Sequence, residues 1–336
     1  MEINRRCLLT AGMAAAAAGL SGRKALAAGE IPARAGRRSF VASCPPKSRE
    51  YGTRRPGPTR LMVIGAHPDD ADITCGGLAV KHIAAGGEVV FVSLTNGCMG
   101  HHRLSPTETA KVRKAETQEA KRRFGLKDYI VLDNDDCALQ ATYENRIEVA
   151  RLIRRFQPDF LVTHRTCDYH VDHRACGTLV MDAGYLLGVP HWVPEEAPQR
   201  LRPVIFYMHD PFTLPRELRP DVMVDVGDCL DRWAEGLDAQ QSQFYDWLPW
   251  DKGVEAEVAA LGDRSKNIAG RNAYLRRYWA AKKAYDSKRF AQDWKNEHPD
   301  LAVPEYMETY EVSEYGRAPT EEDLRLFADE CGRKGV

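Results

Sequence analysis

A histidine and three aspartates stand directly after a run of apolar residues in this chain. The stretch from Leu61 to Gly77 reads LMVIGAHPDDADITCGG. A polar loop that caps a helix is one interpretation, because Asp is favoured at helix starts and Pro in the first turn. Capping accounts for one aspartate, whereas histidine nitrogen and carboxylate oxygen together are the ligands of an open, catalytic zinc site. The stretch therefore predicts part of a metal site whose remaining ligand comes from elsewhere in the chain.

A second polar cluster follows the strand-like segment DFLVTH at residues 159–164. It contains His170, Asp172 and His173 within the run CDYHVDHRACG. If a helix begins near residue 171, the two histidines lie on one face of its first turn, because side chains three apart are neighbours on a helix. The cluster therefore supplies further candidate ligands.

The elements around these clusters alternate between strand and helix. Strands are predicted at 61–65, 88–95, 129–132 and 159–164, and helices at 106–124 and 142–156. The helix at 106 has strong start signals, because Ser105 and Glu108 can form a capping box and Pro106 suits the first position. Strands that alternate with helices of this length predict an α/β fold, with a Rossmann-like, mostly parallel sheet sandwiched by helices.

This fold class predicts where the two clusters meet. In open parallel sheets, ligands bind outside the carboxyl ends of the strands. His67 follows the first strand and His170 follows the strand at 159–164, so both clusters are expected at the same edge of the sheet. Their combination predicts a metal site much more strongly than either cluster alone.

The chain divides into four predicted parts. Residues 1–28 resemble a twin-arginine export signal, with Arg5 and Arg6, an alanine-rich run and a small-x-small pattern at 25–27, which predicts a periplasmic or extracellular protein. Residues 29–59 are basic and rich in proline, which indicates a flexible tether. That tether is either solvated without a partner or in weak contact with an anionic surface. The α/β domain occupies 60–290, and 291–336 form a C-terminal extension that is expected to wrap the domain.

Within the second half of the domain, further elements are predicted. Strands are expected within 203–212 and 220–228, one helix over 229–247 and another within 264–290.

Composition narrows the range of partners. The 336 residues carry a formal net charge of -1, so no basic excess indicates nucleic acid, and no apolar run approaches the roughly 20 residues of a membrane span. The nine cysteines form no Cys-x-x-Cys pair and do not indicate a disulfide framework.

The two clusters resemble a known family. AHPDD at 66–70 and HVDH at 170–173 are similar to the signature motifs of the PIG-L/LmbE-like zinc-dependent N-acetylglucosamine-type deacetylases. The resemblance extends over about residues 60–245 and includes the Arg113 and Glu116 pair. Relatives often carry a histidine at the position of Gln240, where this chain departs from the pattern.

The resemblance implies a ligand set for the metal. His67, Asp70 and His173 match the family's metal ligands. The expected ion is Zn2+, and Fe2+ or Mn2+ remain alternatives, because two histidines and one carboxylate accept several divalent metals.

The resemblance also implies the catalytic roles. Asp69 matches the general base, and His170 the residue that stabilises or protonates the tetrahedral intermediate. Asp172 matches the residue that orients a site histidine. For Asp69 the alternative is a helix cap.

Substrate contacts are the least determined part of the site. Arg113 and Asp168 are candidate substrate-binding residues, although an Arg113–Glu116 pair also fits a solvated salt bridge. Trp192, Trp247 and Trp250 could stack on a sugar ring or pack in the outer layers of the fold.

The expected activity is removal of an N-acyl group, foremost N-acetyl, from an amino sugar or glycoconjugate by attack of a metal-bound water. Two alternatives stay open: a non-catalytic carbohydrate-binding protein on the same fold, and a metal-dependent amidase that acts on a small non-sugar amide. Nucleotide binding is disfavoured, because no Gly-x-Gly-x-x-Gly follows the first strand.

Overall fold

A seven-stranded sheet forms the centre of the protein. The computed structural model describes residues 57–329, so the predicted export signal and most of the tether lie outside the described residues. The strands are β1 (Arg60–Gly65), β2 (Glu88–Thr95), β3 (Asp128–Asn134), β4 (Phe160–Thr163), β5 (Val204–Met208), β6 (Val222–Asp225) and β7 (Met307–Val312). Their order in the sheet is β3-β2-β1-β4-β5-β7-β6, and the first five are parallel.

Helices cover both faces of this sheet. They are α1 (Asp70–Ala84), α2 (Pro106–Phe124), α3 (Tyr143–Phe156), α4 (Val171–Leu186), α5 (Leu230–Leu237), α6 (Leu248–Lys252), α7 (Glu255–Ala259), α8 (Ile268–Trp279), α9 (Ala281–Arg289), α10 (Ala291–Glu297) and α11 (Glu321–Leu324). The predicted α/β class with a mostly parallel sheet is confirmed. No helix within residues 57–329 is both long and apolar enough to cross a membrane.

The strands read as continuous apolar runs because both of their faces are buried. In β1, Leu61 and Val63 pack into one hydrophobic core, and Met62 and Ile64 pack into the core on the opposite face. This alternation follows from the two-residue period of a strand. The sheet is therefore held from both sides, and the loops at the ends of its strands are left to carry polar residues.

The C-terminal segment contributes to the sheet itself. β7 pairs antiparallel with both β5 and β6, so residues 307–312 lie inside the sheet and do not merely wrap it. Glu308 of β7 accepts hydrogen bonds from the backbone N–H groups of Gly77 (2.9 Å) and Leu78 (2.8 Å) and pairs with Lys283. The two glutamates of METYEV make this strand hard to predict from sequence, because the cations that pair with them lie far away in the chain. The predicted domain boundary at 290 remains a prediction.

The single helix expected over 229–247 is wrong. α5 ends at Leu237, and a separate π-helix covers Ser242–Trp247. Side-chain anchors hold the intervening turn: Asp238 accepts a hydrogen bond from the Tyr245 hydroxyl (2.6 Å), and Glu116 of α2 accepts from the backbone N–H of Ser242 (2.8 Å). These long-range contacts outweigh the local helix preference of the segment.

Arg154 of α3 is a buried cation that holds the end of α4. Its side chain is almost completely buried. Its guanidinium donates to six main-chain carbonyls, those of Leu186, Leu187, Val189, Trp192, Val193 and Glu196. A cation at the C-terminus of a helix also matches the negative end of the helix dipole.

We expect Arg154→Met to lower the free energy of unfolding by at least about 3 kcal/mol, because it removes all six hydrogen bonds by which a buried cation holds the end of α4 and the segment after it. Arg151→Met is the matched control on the same helix. Arg151 pairs with Glu195 at the surface, where such a pair contributes about 0–1 kcal/mol. Urea unfolding of both variants measures the difference, and an equal loss in the two would contradict the capping role of Arg154.

Candidate metal centre and active site

A tight turn after β1 brings the first cluster together. The backbone N–H groups of Asp69 and Asp70 both donate to the carbonyl of His67, at 2.8 and 3.3 Å. A Cβ on Gly65 would lie only 2.7 Å from the Cβ of Asp70, so this close approach requires glycine. The turn lets the Asp70 carboxylate accept the His67 backbone N–H at 2.7 Å. Asp70 then begins α1.

The second cluster is placed by the start of α4. His170 is the N-cap residue and His173 lies within the first turn, as the spacing predicted. A Cβ on Gly177 would lie 2.7 Å from the His164 carbonyl, so α4 packs directly against the end of β4. This packing brings His173 toward the turn that follows β1, and the two clusters converge as expected.

The two histidine nitrogens and the two carboxylate oxygens of the predicted ligands His67, Asp70 and His173 lie close to one another. His67 Nδ1 lies 3.2 Å from His173 Nε2 and 3.4 Å from Asp70 Oδ2, and His173 Nε2 lies 3.3 Å from Asp70 Oδ1. A tetrahedral zinc with nitrogen and oxygen ligands at about 2.0–2.1 Å sets those ligand atoms about 3.3–3.4 Å apart. The predicted ligands therefore have both the chemistry and the spacing of such a site.

Carboxylates behind the two histidines fix their orientation. His67 Nε2 lies 3.2 Å from Asp172 Oδ2 and 3.1 Å from Asp136 Oδ1, and His173 Nδ1 lies 3.1 Å from Asp168 Oδ1. Metal-binding histidines commonly donate their second N–H to such a carboxylate. Each ring then turns its free nitrogen toward the other predicted ligands.

The same carboxylates favour positive charge at this centre. Burial opposes protonation of His173, but Asp70 and Asp168 outweigh burial and raise its pKa to about 9. Burial also acts against His67, where the carboxylates of Asp136, Asp172 and Asp70 hold the pKa well above its usual value. A bound divalent cation would likewise be stabilised by the negative charge of these carboxylates.

His164 competes geometrically for a place among the ligands. The donor atoms of Asp70, His164 and His173, and likewise those of His67, His170 and His173, lie close enough together to hold an ion. His164 Nε2 lies 3.2 Å from Asp70 Oδ2, but it also accepts the backbone N–H of Ala66 at 3.2 Å, which engages the lone pair that a metal would need. The ring lies parallel to His173 with centroids 3.9 Å apart, and this stacking supports the ligand from behind.

Asp69 occupies the N-cap position of α1 but does not cap it. Its carboxylate makes no hydrogen bond to the helix and lies instead 3.0 Å from the guanidinium of Arg113. Burial raises the pKa of Asp69, and the Arg113 cation opposes that rise. The helix-cap interpretation of Asp69 is therefore not supported, and its carboxylate is available for chemistry next to Asp70, the predicted metal ligand.

His170 presents one nitrogen away from the chain. Its Nδ1 accepts the backbone N–H of Asp172 at 3.2 Å, so the neutral ring carries its proton on Nε2. The ring stands edge-on to His67 with centroids 4.5 Å apart. Burial and the neighbouring His67 and His173 lower the pKa of His170. The side chain can therefore donate a hydrogen bond while remaining neutral.

The two predicted substrate-binding residues lie just behind the site. Arg113 is 2 % exposed and pairs with Asp69, not with Glu116, so the solvated Arg113–Glu116 pair does not form. Asp168 accepts the His170 backbone N–H at 2.9 Å in addition to facing His173. These contacts position Asp69, His170 and His173. A direct contact of Arg113 or Asp168 with substrate remains a prediction.

Asp136 is a site residue that the sequence analysis missed. It follows β3, at the same edge of the sheet as His67, and its position at a strand end was the available signal. Burial alone would raise its pKa, but His67 outweighs burial and holds the pKa of Asp136 at about 2. The following Cys137 has a positive φ of 66° and donates its N–H to Asp172 at 2.7 Å. The β3 loop thus fixes the two carboxylates behind His67.

Comparisons with known proteins show which proteins this chain resembles. Residues 62–184 match the family described as PIG-L, GlcNAc-PI de-N-acetylase. A diacetylchitobiose deacetylase of Thermococcus kodakarensis is 29% identical over 218 residues, which are 61% of this chain and 79% of that protein. A 4-oxalmesaconate hydratase of Pseudomonas putida is 26% identical over 220 residues, 62% of this chain and 84% of that protein.

A solved structure shares the fold. The N,N'-diacetylchitobiose deacetylase of Pyrococcus horikoshii superimposes with a TM-score of 0.58 at 21% identity, over 76% of this chain and 84% of that one.

Proposed function

We propose that this chain, a member of the PIG-L/LmbE-like family, is a zinc-dependent hydrolase that removes the N-acetyl group from an amino sugar or glycoconjugate. The observation that carries the proposal is the arrangement of the His67, Asp70 and His173 side chains, whose nitrogen and oxygen atoms approach one another to 3.2–3.4 Å pair by pair, beside a buried carboxylate that is not a helix cap. A carbohydrate-binding protein without catalysis has no need of such a carboxylate.

His67, Asp70 and His173 would hold the ion. When bound, zinc supplies a Lewis acid that polarises the amide carbonyl and lowers the pKa of a water molecule. Asp172 and Asp136 hold the ring of His67, and Asp168 holds that of His173, so the ligands are preorganised for the ion.

Asp69 acts as the general base in this proposal. Adjacent side chains diverge, so Asp70 faces the metal while Asp69 takes the proton from the attacking water. Burial raises the pKa of Asp69, which brings it closer to that of an effective base near neutral pH. Arg113 keeps the carboxylate oriented and limits the rise of its pKa.

His170 acts on the other side of the amide. Its Nε2–H can donate a hydrogen bond to the oxygen that becomes negative in the tetrahedral intermediate. The departing amine must be protonated to leave, and the proton that Asp69 took from the water can pass to it, so that His170 stays neutral throughout. The hydrogen bond from Asp172 N–H to Nδ1 fixes the tautomer that this role needs.

A substrate screen tests the proposal. Zinc-loaded protein is incubated with N-acetylglucosamine, N,N'-diacetylchitobiose and an N-acetyl amino acid, and free acetate and free amine are measured. We expect release from the sugars in equal amounts of the two products. Release only from the amino acid would support a non-sugar amidase instead.

The hydratase relative provides a second reaction to exclude. Its similarity covers 84% of that protein, so 4-oxalmesaconate is included in the screen and its ultraviolet absorbance is followed. The carboxylates of Asp69 and Asp70 in the proposed site, with those of Asp136 and Asp168 directly behind its histidines, disfavour a substrate with several carboxylates. Consumption of 4-oxalmesaconate without deacetylation of any sugar would overturn the proposed activity.

Export is a separate proposal. It is supported by Arg5, Arg6 and the small-x-small pattern at 25–27. We expect the protein from its native host to lie outside the cytoplasm and to begin near Ala28 or Gly29, as N-terminal sequencing would show. Replacing both arginines by lysine should leave the uncleaved chain in the cytoplasm. Recovery of intact Met1 from the cytoplasm with the unchanged sequence would contradict the proposal.

A further inference from the structure

Four nearly parallel rings form a patch on the loop after β2 and the neighbouring π-helix and α6. We call His101, His102, Trp247 and Trp250 the ring platform. The His102 and Trp250 rings are 4.9 Å apart at 3°, the two histidine rings 5.1 Å apart at 10°, and the two indoles 5.3 Å apart at 24°. Trp250 is 47% exposed. The indole of Trp250 therefore keeps about half of its surface exposed while it stacks on both His102 and Trp247.

Hydrogen bonds hold the platform in place. His101 Nδ1 accepts the backbone N–H groups of Arg103 and Leu104, both at 3.1 Å, so the orientation of this ring is determined. Gln243 of the π-helix donates to the carbonyl of Gly100 at 3.0 Å and joins the loop to the segment that carries the tryptophans. π-Helical turns occur frequently at functional sites. A surface fixed in this way binds a ring without a further ordering cost.

Helix α2 connects the platform to the proposed active site. Arg113 contacts Asp69, and a Cβ on Gly97 or Gly100 would lie only 2.7 or 2.9 Å from its Nη1, so the platform loop packs on Arg113. One turn later, Glu116 accepts hydrogen bonds from the backbone and hydroxyl of Ser242 in the π-helix. The same helix therefore positions the catalytic carboxylate and the exposed tryptophan.

We propose that the ring platform binds a second pyranose ring of an N-acetylated oligosaccharide while the first ring lies at the metal centre. The inference rests on the proposed deacetylase function and defines its substrate as a chain of at least two sugars. The C–H groups on the face of a pyranose pack against an aromatic face, and flat, partly exposed aromatic surface beside a carbohydrate site suits that contact. Packing in the outer layers of the fold does not explain why the Trp250 ring, parallel to that of His102, is left about half exposed.

The test compares substrates of different length. kcat/KM is measured with N-acetylglucosamine and with N,N',N''-triacetylchitotriose for the zinc-loaded parent, Trp250→Ala, Trp250→Phe and His102→Ala. We expect Trp250→Ala to lower the ratio of trisaccharide to monosaccharide kcat/KM by about 10-fold, the size of one aromatic stacking contact. Trp250→Phe should restore most of the ratio, because it keeps an aromatic face.

Tyr185→Ala is the matched control. Tyr185 is 63% exposed and lies near the end of α4, at the opposite end of that helix from His170 and His173. This variant should keep the parent's ratio. Equal losses on both substrates in Trp250→Ala, or no loss on the trisaccharide, would overturn the platform. Self-association of the parent that Trp250→Ala abolishes, with an unchanged ratio, would assign the surface to a second copy of the chain instead.

A binding measurement separates this inference from the proposed function. Quenching of tryptophan fluorescence by triacetylchitotriose needs no turnover, and it should be present in the parent and weakened about 10-fold in Trp250→Ala. A protein that releases no acetate but shows this difference would refute the deacetylase activity and retain the platform. A protein that releases acetate but shows the same quenching in the parent and in Trp250→Ala would retain the deacetylase activity and refute the platform.

Discussion

Replacement of Asp69 by asparagine should leave the metal bound and reduce turnover by about 10²–10⁴-fold, the usual contribution of a general base. Asparagine keeps the shape of the side chain and can still face Arg113, but it cannot accept a proton. Because Asp69 makes no hydrogen bond to the start of α1, the substitution should not disturb the helix. Metal content and the initial rate of acetate release, measured on the same preparation, test this result.

Asp70→Asn is the matched comparison at the neighbouring position. A neutral amide oxygen is a much poorer zinc ligand than a carboxylate, so this variant should lose metal first and activity as a consequence. His170→Ala should keep its metal and lose activity, because the ring donates to the substrate and not to the ion. Turnover of Asp69→Asn at the parent's rate would mean that the base lies elsewhere in the site.

Removal of any one of His67, Asp70 and His173 should empty the metal centre. Three protein ligands form one metal site, so the purified parent should carry about one divalent metal ion per chain. The alanine variant at each of these positions removes one of three side chains whose donor atoms approach one another to 3.2–3.4 Å pair by pair. Elemental analysis after dialysis measures the occupancy, and it also identifies the metal.

His164 provides the discriminating control for this ligand set. Its Nε2 accepts the Ala66 N–H, so His164→Asn should keep far more metal than His67→Ala. The metal content of Asp168→Asn should lie between those of the other two variants. The Asp168 carboxylate orients His173 without binding the ion, so its loss should weaken metal affinity by about 10–100-fold. Full metal occupancy in His67→Ala together with loss of metal in His164→Asn would show that His164, and not His67, is the ligand.

The AHPDD motif at residues 66–70 and the HVDH motif at 170–173 could be recognised from the sequence because their signals are local. Apolar runs end directly before His67 and a few residues before His170, and the carboxyl ends of parallel strands share one edge of the sheet. The start of α2 is equally local, since the capping box of Ser105 and Glu108 lies within four residues and forms as predicted. Fold class, helix starts and the meeting of the two clusters were therefore determined by short-range patterns.

Only the tertiary structure decided which groups surround those motifs. Arg113 reaches Asp69 across 44 positions of the chain, and the sequence alone paired it with Glu116, its neighbour on the helix. Asp136 joins His67 from the end of another strand, and buried Glu308 conceals a strand that Lys283 and the α1 backbone stabilise. The ring platform likewise combines a loop after β2 with a π-helix more than a hundred residues later. In each case a buried charge or an aromatic face is satisfied by a partner distant in sequence, and no local pattern of residues specifies that partner.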